Sequence, residues 1–510
     1  MILMVKIEIP KEIKNIIQKL HKSGYGAYVV GGCVRDILRG ADPEDWDITT
    51  DAKPEEIQKI FPDSFCENKF LTVTVQTGSK KVSLKEVEIT TFRKEAKYTD
   101  KRHPDNIGFA KNLEEDLARR DFTVNAIALG LEARSLKLKA PTKKDSDFKL
   151  QDLGFKVVDL FNGQEDLQQK LIRAVGNPRE RFSEDALRMM RAVRFATTMG
   201  WNIENETAKA IKENSDLIRY ISQERIRDEF SKIIMSESAM GGIELLRELS
   251  LLKHILPELE EGYNIGQNKH HIYSCYEHNM RALDFAAKKN FNKNVRIASL
   301  LHDIAKPRVK HGEGSDSTFY GHEIVGAKMA RQILDRLRFS NKDIEKITKL
   351  VRYHLFYYNV DEVGESSVRR LVRQVGIENM EELLQLRMAD RIGSGVPKAE
   401  PYKLRHLKYI IDKVSQDPIS AKMLKVSGND VMKILKMKPG PKVGQILDIL
   451  LGIILEDPKN NKKAFLKKET EKLGKLSDKE LTSLVKKSRK DKEQLIVKKD
   501  EMTKKKYWVS

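Results

Sequence analysis

Residues 28–51 read YVVGGCVRDILRGADPEDWDITTD, and this stretch decides the fold. A short apolar run ends at Gly31-Gly32, and the segment that follows, as far as Leu38, has helical character. The two glycines are therefore predicted at a strand-to-helix turn, where backbone N–H groups can approach a phosphate closely. Arg35 lies one turn into that helix and can add a forked cation to the same anion.

A second strand is predicted to begin at Asp45 and to continue to Thr49. Because side chains alternate across a strand, Asp45 and Asp47 would share one face, and Trp46 and Ile48 the other. Two carboxylates on one face can hold a pair of Mg²⁺ ions about 3.5–4 Å apart, an arrangement that activates an attacking hydroxyl and stabilises a leaving pyrophosphate. Taken singly, the glycines are also consistent with an ordinary turn and the carboxylates with a solvated strand edge.

The combination of GGCVRDILRG with EDWDITT resembles the nucleotidyltransferase signature of class II tRNA CCA-adding enzymes and bacterial poly(A) polymerases. The resemblance implies an α+β fold: a small nucleotidyltransferase head with a mixed sheet, followed by an all-helical neck, body, HD domain and tail. It implies that Gly32 and Arg35 contact the incoming nucleotide and that Asp45 and Asp47 bind catalytic Mg²⁺. The partners it implies are tRNA, CTP and ATP.

Glu88 lies in a further predicted strand, 87–92, that follows one at 71–77. It alternates with Val87 and Ile89, so it would point away from their apolar face. Glu88 is predicted either as a third catalytic carboxylate near the metals or as an exposed strand glutamate.

Residues 90–109, TTFRKEAKYTDKRHPDNIGF, are polar and aperiodic, which predicts a mobile loop. The loop resembles the flexible loop of CCA-adding enzymes in Arg93, Tyr98, Asp100, Arg102 and Pro104. In that family the loop is needed for adding the terminal A, and CC-adding relatives lack it. Its presence counts against a CC-only enzyme.

LARRDFTVNAIAL, 117–129, resembles the family motif that contacts ribose and triphosphate. Arg119 and Arg120 offer bidentate donors to a phosphate, Asp121 is an acceptor for ribose hydroxyls, and Asn125 can pair with either. An ordinary charged helix start would explain the same residues.

Residues 177–201 predict a helix with Ser183 as its N-cap and an apolar stripe of Leu187, Met190 and Val193. Arg188, Arg191 and Arg194 recur every third residue, which spreads them over only about 120° of the helix surface. A solvated basic face opposite the core is the plainer explanation.

Asp185 and Arg188 point to base selection. A carboxylate can accept from the exocyclic amine that cytosine and adenine share, and a guanidinium can donate to the acceptor edge of either ring, whereas G and U present the opposite pattern. This matches the family's ED-x-x-R motif, an amino-acid template that selects CTP and ATP; Arg191 and Arg194 would then hold the triphosphate. The segment 223–234, QERIRDEFSKII, is predicted to have a structural role.

Seven of the eleven histidines lie between His270 and His354. Within this region His278, His302-Asp303 and Asp390 resemble the ligand pattern of the HD superfamily of metal-dependent phosphohydrolases, and His322 and His354 are candidates for a second metal. Imidazoles mixed with carboxylates suit Mn²⁺, Ni²⁺, Fe²⁺ or Mg²⁺. Individually packed or exposed histidines are the alternative.

The chain has 510 residues and a net charge of +19, which predicts several domains and favours a polyanionic partner. Residues 459–510 carry 18 Lys/Arg against 8 Asp/Glu, a net charge of +10. The lysine-rich stretch from Lys467 predicts a marginal helix or a disordered tail with salt-sensitive affinity for RNA. Three widely spaced cysteines exclude a disulfide framework and indicate a reducing cytoplasm. No apolar run reaches the roughly eighteen residues of a membrane helix, so no membrane partner is predicted.

The predicted domains are the head (1–135), the neck and body with the nucleotide-selecting motif (136–267), the HD domain (268–395), a helical tRNA-binding tail (396–466) and a lysine-rich extension (467–510). In the tail, a Pro-Gly-Pro turn within 434–447 opens a helix whose amides can grip a nucleic-acid phosphate.

Three alternatives remain open. The same motifs suit a poly(A) polymerase or an A-only tRNA nucleotidyltransferase. From another class, the chain could be an HD phosphohydrolase with an RNA-binding head. A non-catalytic RNA chaperone would suit the basic tail but leaves both carboxylate-metal patterns unexplained.

Overall fold

The computed structural model describes residues 8–67, 72–95, 107–131, 154–268, 272–415 and 424–509. The chain divides into two compact units, one made of Met1–Arg352 with Ala389–Gly395 and the other of Tyr353–Met388 with Val396–Ser510. Two predicted features lie outside the described residues. They are Tyr98, Asp100, Arg102 and Pro104 of the predicted loop, and most of the segment 131–156, whose charged and irregular sequence predicts an insertion or hairpin joining two domains.

A mixed seven-stranded sheet forms the head, in the order β3-β4-β5-β2-β1-β8-β9. The strands in chain order are β1 Ala27–Val30, β2 Asp47–Thr50, β3 Ser64–Glu67, β4 Thr72–Gln76, β5 Glu86–Thr91, β6 Arg93–Glu95, β7 Ile107–Phe109, β8 Ile127–Leu131, β9 Phe155–Asp159, β10 Leu171–Ile172 and β11 Asn202–Ile203. β2 and β5 are parallel neighbours, whereas β1 is antiparallel to both β2 and β8. The mixed-sheet head and the helical remainder confirm the predicted fold class.

The head core lies between this sheet and its helices. These are α1 Lys11–Lys22, α2 Gly32–Leu38, α3 Pro54–Ile60, α4 Val82–Lys85 and α5 Leu113–Ala118. Ile13, Ile17 and Leu20 recur at helical spacing along α1 and are fully buried in one cluster with Val29 and Ile48 of the sheet. This packing fixes the edge where β1 ends and β2 begins, which is where the site lies.

One predicted boundary is wrong. Asp45 precedes β2, which begins only at Asp47. The reason is the pairing: Val30, the last residue of β1, is opposite Asp47, and the chain then turns away at Gly31, so residues before Asp47 have no strand to pair with. Alternation along a strand therefore does not place Asp45.

The first unit continues mainly as helices. They are α6 Gly163–Gln169, α7 Pro178–Glu184, α8 Leu187–Met199, α9 Asn205–Asn214, α10 Gln223–Met235, α11 Ala239–Glu248, α12 Leu252–Ile255, α13 Pro257–Glu260, α14 Cys275–Lys288, α15 Lys293–Leu301, α16 Lys306–Val309, α17 His322–Arg336 and α18 Asn341–Tyr353. Short 3₁₀ turns occur at Thr123–Asn125, Ser215–Tyr220 and Gly314–Asp316.

The predicted N-cap Ser183 is wrong as well. Its hydroxyl donates to the carbonyl of Glu180 inside α7, a helix that begins at Pro178 with Asn177 as its N-cap. Proline is well suited to the first position of a helix, so the helix starts earlier than predicted. Asp185 then separates α7 from α8 and accepts from the backbone N–H of Leu187 at 3.0 Å.

The second unit is helical. It contains α19 Glu365–Val375, the first part of α20 Ile377–Gly393, α21 Tyr402–Ser415, α22 Gly428–Leu435, α23 Pro441–Glu456, α24 Lys463–Gly474 and α25 Asp478–Tyr507. The prediction of a marginal or disordered lysine-rich tail is wrong, because Leu481 and Val485 of α25 are buried in one core with Leu450 of α23 and Leu466 of α24. Apolar residues one helical turn apart form a seam beneath the lysines. Within the residues described, no helix combines the length and apolar character needed to cross a membrane.

Candidate active site

The centre of the site is a pair of neighbouring strands that carry carboxylates. Asp47 of β2 lies directly beside Glu88 of the parallel strand β5, so the two side chains project on the same face of the sheet. Burial, together with the charges of Asp45 and Glu88, raises the pKa of Asp47 to about 6, although the guanidinium of Arg120 opposes the rise. Carboxylates gathered closely enough to raise the pKa of Asp47 form a donor set that suits a hard divalent cation.

Gly31 closes the turn against this pair. Its φ of +82° is rarely adopted by residues with a side chain. A Cβ atom there would lie 3.1 Å from Nη1 of Arg120 and 3.2 Å from Oδ2 of Asp47. The sequence assigned the nucleotide contact to Gly32, but Gly31 is the glycine that lies against both charged groups.

Two cavities meet at Asp47. The first, which we call the Glu88 cavity, has a volume of about 480 Å³, and its lining includes Asp47, Glu88, Arg93, Arg119, Arg120, Asp121, Asp185, Arg188, Arg191 and Arg225. The second, the Gly31 cavity, has a volume of about 850 Å³, and its lining includes Gly31, Gly32, Arg35, Asp45, Asp47, Arg120, Asp121, Asn125, Arg191, Arg194 and Phe195. Every site residue predicted in the head and neck therefore lines one cavity or both.

The sequence Arg119-Arg120-Asp121 follows the end of a helix and does not start one, because α5 ends at Ala118. Arg119 and Arg120 both form ion pairs with Asp116, at 2.8 Å and 3.4 Å. The carboxylate of Asp116 is fully buried, and sequence reasoning missed it.

Asp121 is held by the protein rather than left open. Its Oδ2 accepts from Nη2 of Arg191 at 2.6 Å, and its Oδ1 accepts from Nδ2 of Asn125 at 3.2 Å. Burial raises the pKa of Asp121, but Arg191 and Asn125 outweigh burial and bring the pKa to about 2. The carboxylate is therefore ionised at neutral pH, and it ties α8 to the head.

Asp185 and Arg188 lie in the same cavity, and each has protein partners. Oδ2 of Asp185 accepts from Nη2 of Arg225 at 2.8 Å. Arg188 donates to Oε2 of Glu184 at 2.8 Å and to the backbone carbonyl of Arg119 at 3.0 Å. Arg225 lies on α10, the segment predicted to have only a structural role. The alternating charges of that helix gave no sign that this arginine reaches the cavity.

The alternative of a solvated arginine face on α8 is wrong. The side chains of Arg188 and Arg194 are only 9% and 15% exposed. Arg194 pairs with Glu229 at 2.6 Å, and its guanidinium lies 3.8 Å from the ring centroid of Phe195. Arg35 and Arg191 also lie over this ring, at 5.3 Å and 5.4 Å, so three arginines surround one aromatic face in the Gly31 cavity.

A second candidate site lies elsewhere in the first unit. His278, His302, Asp303 and Asp390 are all buried, and each offers one ligand atom such that these atoms lie within 4.8 Å of one another. Asp390 reaches this unit through Ala389–Gly395. A Cβ on Gly393 would lie 2.7 Å from the carbonyl oxygen of His278. Only a glycine at position 393 therefore allows this segment to pack against His278.

The imidazoles of this second site are oriented for metal binding. Nδ1 of His302 lies 2.9 Å from the carbonyl of Ser299, so this nitrogen carries the proton and the Nε2 lone pair is left for a metal. The Nε2 atoms of His302 and His278 are 2.9 Å apart. His322 is oriented in the same way by the carbonyl of Phe319 and lies 3.3 Å from Oδ1 of Asp303. His354 is buried and belongs to the other unit.

The sequence matches three family models. Residues 27–173 match "Poly A polymerase head domain", residues 200–262 match "Probable RNA and SrmB- binding site of polymerase A", and residues 323–469 match "tRNA nucleotidyltransferase domain 2". Among relatives, the CCA-adding enzyme of Lactococcus lactis strain IL1403 is 32% identical over 486 residues, which covers 92% of this chain and all of that enzyme. The CCA-adding enzyme of Lactobacillus helveticus is 43% identical over 241 residues, 47% of this chain and 54% of that one.

Solved structures show the same likeness. The Bacillus stearothermophilus CCA-adding enzyme in complex with CTP is 26% identical and superposes with a TM-score of 0.56, covering 91% of this chain and 98% of that one. The Thermotoga maritima CCA-adding enzyme complexed with tRNA has a TM-score of 0.50 at 19% identity and covers 92% and 97% of the two chains, a likeness of fold alone.

The carboxylate pair, the glycine turn and the arginine-lined cavities define the class first, a metal-dependent nucleotidyltransferase. The match along the whole Lactococcus enzyme then decides the family: the chain belongs to the CCA-adding enzymes.

Proposed function

We propose that this protein adds CCA to the 3′ end of tRNA from CTP and ATP, without a nucleic-acid template. One observation carries the proposal: a single cavity joins the carboxylates of Asp47 and Glu88 to the selecting pair Asp185 and Arg188. One nucleotide bound in this cavity can therefore contact both the catalytic carboxylates and the residues that select its base.

The reaction is transfer of a nucleotidyl group. The tRNA 3′ oxygen forms a bond to the α-phosphorus. The bond between the α-phosphorus and the oxygen that bridges the α- and β-phosphates breaks, and pyrophosphate leaves. Asp45 and Asp47, with Glu88 as a third carboxylate, would hold Mg²⁺, which supplies charge stabilisation to the attacking and leaving oxygens. Arg119, Arg120, Arg191 and Arg194 neutralise the triphosphate, and the Gly31-Gly32 turn lets the backbone approach it.

Base selection follows from fixed donors and acceptors. Arg225 pairs with Asp185 and fixes its carboxylate, whose oxygens accept hydrogen bonds and so suit the amine of C or A. Glu184 and the carbonyl of Arg119 hold the guanidinium of Arg188 in place, and a guanidinium there suits the acceptor edge of the same bases.

The test uses tRNA that ends before CCA, with labelled CTP as the only nucleotide. The protein is expected to incorporate C, and Asp47→Ala is expected to abolish incorporation without loss of folding. Failure of the wild-type protein to incorporate C would favour the A-only or poly(A) alternative and would refute the proposal.

The domain division into 1–135, 136–267, 268–395, 396–466 and 467–510 stays a prediction, as does a cytoplasmic location. Charge supports the tRNA partner, because the net charge is +19. No disulfide joins the cysteines among the described residues, Cys33, Cys66 and Cys275, which agrees with a reducing compartment.

A second candidate function is hydrolysis of phosphoesters at the HD site, such as the 2′,3′-cyclic phosphates that relatives with this domain process on damaged tRNA. Its support is the convergence of His278, His302, Asp303 and Asp390 on one buried point, with His302 oriented to present a lone pair. Mn²⁺, Ni²⁺, Fe²⁺ and Mg²⁺ all suit such mixed ligands. A second ion held by His322 and His354 stays a prediction.

This candidate is tested with His302→Ala/Asp303→Ala, and with His311→Ala as a control histidine outside the cluster. The double variant is expected to lose bound Mn²⁺ or Ni²⁺ and cyclic phosphodiesterase activity, while CTP incorporation stays near the wild-type level. A wild-type protein that binds none of the four ions would make the cluster structural.

A further inference from the structure

Asp116 is a buried carboxylate directly behind the Glu88 cavity. Its side chain is 0% exposed, whereas those of Arg119 and Arg120 are 13% and 18% exposed and line the cavity. Asp116 is not itself part of the cavity wall. It therefore contacts the wall from the protein side and cannot touch a bound nucleotide directly.

Four groups from three segments donate to this carboxylate. Oδ1 accepts from Nη2 and Nε of Arg119, at 2.8 and 3.1 Å, and from the backbone N–H of Arg93 at 3.3 Å. Oδ2 accepts from Nη2 of Arg120 at 3.4 Å and from Oγ1 of Thr49 at 3.3 Å. Thr49 lies on β2, two residues beyond Asp47, and Arg93 begins β6.

The choice of partners separates Asp116 from an ordinary buried ion pair. Its three arginines, Arg93, Arg119 and Arg120, all line the Glu88 cavity. Asp166 offers the contrast: it is also buried and also binds a threonine and an arginine, Thr123 at 2.6 Å and Arg173 at 3.0 Å. None of these three residues lines either cavity of the active site.

We propose that Asp116 is a positioning residue for nucleotide transfer, which holds the guanidinium groups of Arg119 and Arg120 toward the triphosphate of CTP and ATP. The proposal deepens the function proposed above and rests on it. A guanidinium fixed in advance loses less rotamer freedom when it binds a phosphate, so the carboxylate behind it contributes to nucleotide affinity without contact.

Ionisation of Asp116 agrees with this geometry. Burial raises the pKa of Asp116, but Arg119 and Arg120 outweigh burial, so that the pKa lies below its ordinary value. The carboxylate is charged at neutral pH and can hold both cations.

The experiment compares Asp116→Asn with the matched control Asp166→Asn in the full chain. Each replaces a buried, arginine-paired carboxylate with an isosteric amide, so both are expected to lower the melting temperature. Only Asp116→Asn is expected to weaken CTP binding without tRNA, measured by calorimetry, and to raise KM for CTP and ATP, by about tenfold. KM for tRNA should not change in either variant.

A double-mutant cycle shows whether Asp116 acts through the arginines. In the Arg119→Ala/Arg120→Ala background, adding Asp116→Asn is expected to change CTP affinity less than twofold, because the groups it positions are gone. If Asp116→Asn does not fold, Asp116→Glu replaces it, since it keeps the charge but displaces the oxygens, and it is expected to raise KM for CTP as well.

Unchanged CTP affinity in a folded Asp116 variant, or an effect equal to that of Asp166→Asn, would overturn the proposal. An additive cycle would also overturn it. Failure of the proposed function looks different, because the wild-type protein itself would then incorporate no C.

Discussion

Asp47 has a pKa that is strongly raised by its surroundings in the folded protein. Folding raises its pKa to about 6 because it is buried beside Asp45 and Glu88. In the metal-free protein, protonation of Asp47 therefore stabilises the fold. This contribution is fully present below about pH 4, the pKa in the unfolded chain, and is lost as the pH rises through 6.

The first prediction follows because an ionised Asp47 destabilises the metal-free fold at high pH. In EDTA at pH 8, Asp47→Asn should raise the free energy of unfolding in urea by up to about 3 kcal/mol, and the gain should vanish near pH 4. Mg²⁺ should stabilise the wild-type protein at pH 8 and have little effect on the variant. A gain that does not depend on pH would mean that folding does not raise the pKa of Asp47.

The second prediction concerns Gly31. Gly31→Ala and Gly40→Ala both put a side chain on a residue of positive φ, +82° and +77°, at a cost of about 1–3 kcal/mol each. Only at Gly31 does the new Cβ crowd Arg120 and Asp47, since nothing lies within 4 Å at Gly40. Incorporation of CTP by the folded enzyme should fall at least tenfold for Gly31→Ala alone. Equal activity in the two variants would show that the turn does not approach the substrate.

The third prediction concerns base choice. Asp185→Asn replaces an acceptor with an amide and weakens the contact with Arg225, so discrimination against UTP should fall by about tenfold or more. Asp228→Asn is the control, because Asp228 pairs with Arg227 on the same helix α10 outside both cavities. Competition between labelled CTP and UTP measures the ratio. Unchanged discrimination in Asp185→Asn would refute the selecting role.

Motif residues were predictable because their chemistry is local. Gly32, Arg35, Asp47, Arg120 and Arg188 belong to compact patterns that the chain brings to the two cavities. Partners at long sequence separation were not predictable: Thr49 meets Asp116 from 67 residues away, and Arg225 meets Asp185 from 40. A buried carboxylate within LEEDLARRD looks like any other helix acid until the sheet is built around it.

At the scale of elements, the strand-turn-helix unit formed as predicted, with β1 at Ala27–Val30 and α2 at Gly32–Leu38. Errors arose where two local signals competed. Pro178 started a helix before Ser183 could cap one, and the end of β1 delayed the start of β2 to Asp47. In the lysine-rich segment, the overall composition predicted disorder because the buried apolar residues are few.

The fourth prediction tests that seam. Leu481 of α25 is fully buried and Ile496 of the same helix is 44% exposed. Leu481→Ala should lower the free energy of unfolding by about 2–4 kcal/mol, whereas Ile496→Ala should change it by less than about 0.5 kcal/mol. Urea unfolding followed by circular dichroism gives both values. Similar small losses would mean that the helix does not share the core of the second unit.

At the scale of the whole molecule, the division into units departs from the order of the sequence. Ala389–Gly395 belongs to the first unit although the residues on both sides of it belong to the second, and this segment carries Asp390. The return of a seven-residue segment leaves no mark in composition, so only the family pattern of the HD ligands pointed to it. The resemblance predicted that Asp390 groups with His278, His302 and Asp303, but it did not predict the path of the chain that brings Asp390 there.

The proposed function requires that this protein add C, C and A in turn to the tRNA 3′ end. The most direct measurement sequences the 3′ ends produced when tRNA lacking CCA is incubated with the protein, Mg²⁺ and all four nucleoside triphosphates. We expect products that end in C, CC and finally CCA, with no U or G. Products that carry a single A, or a run of A residues without C, would contradict it.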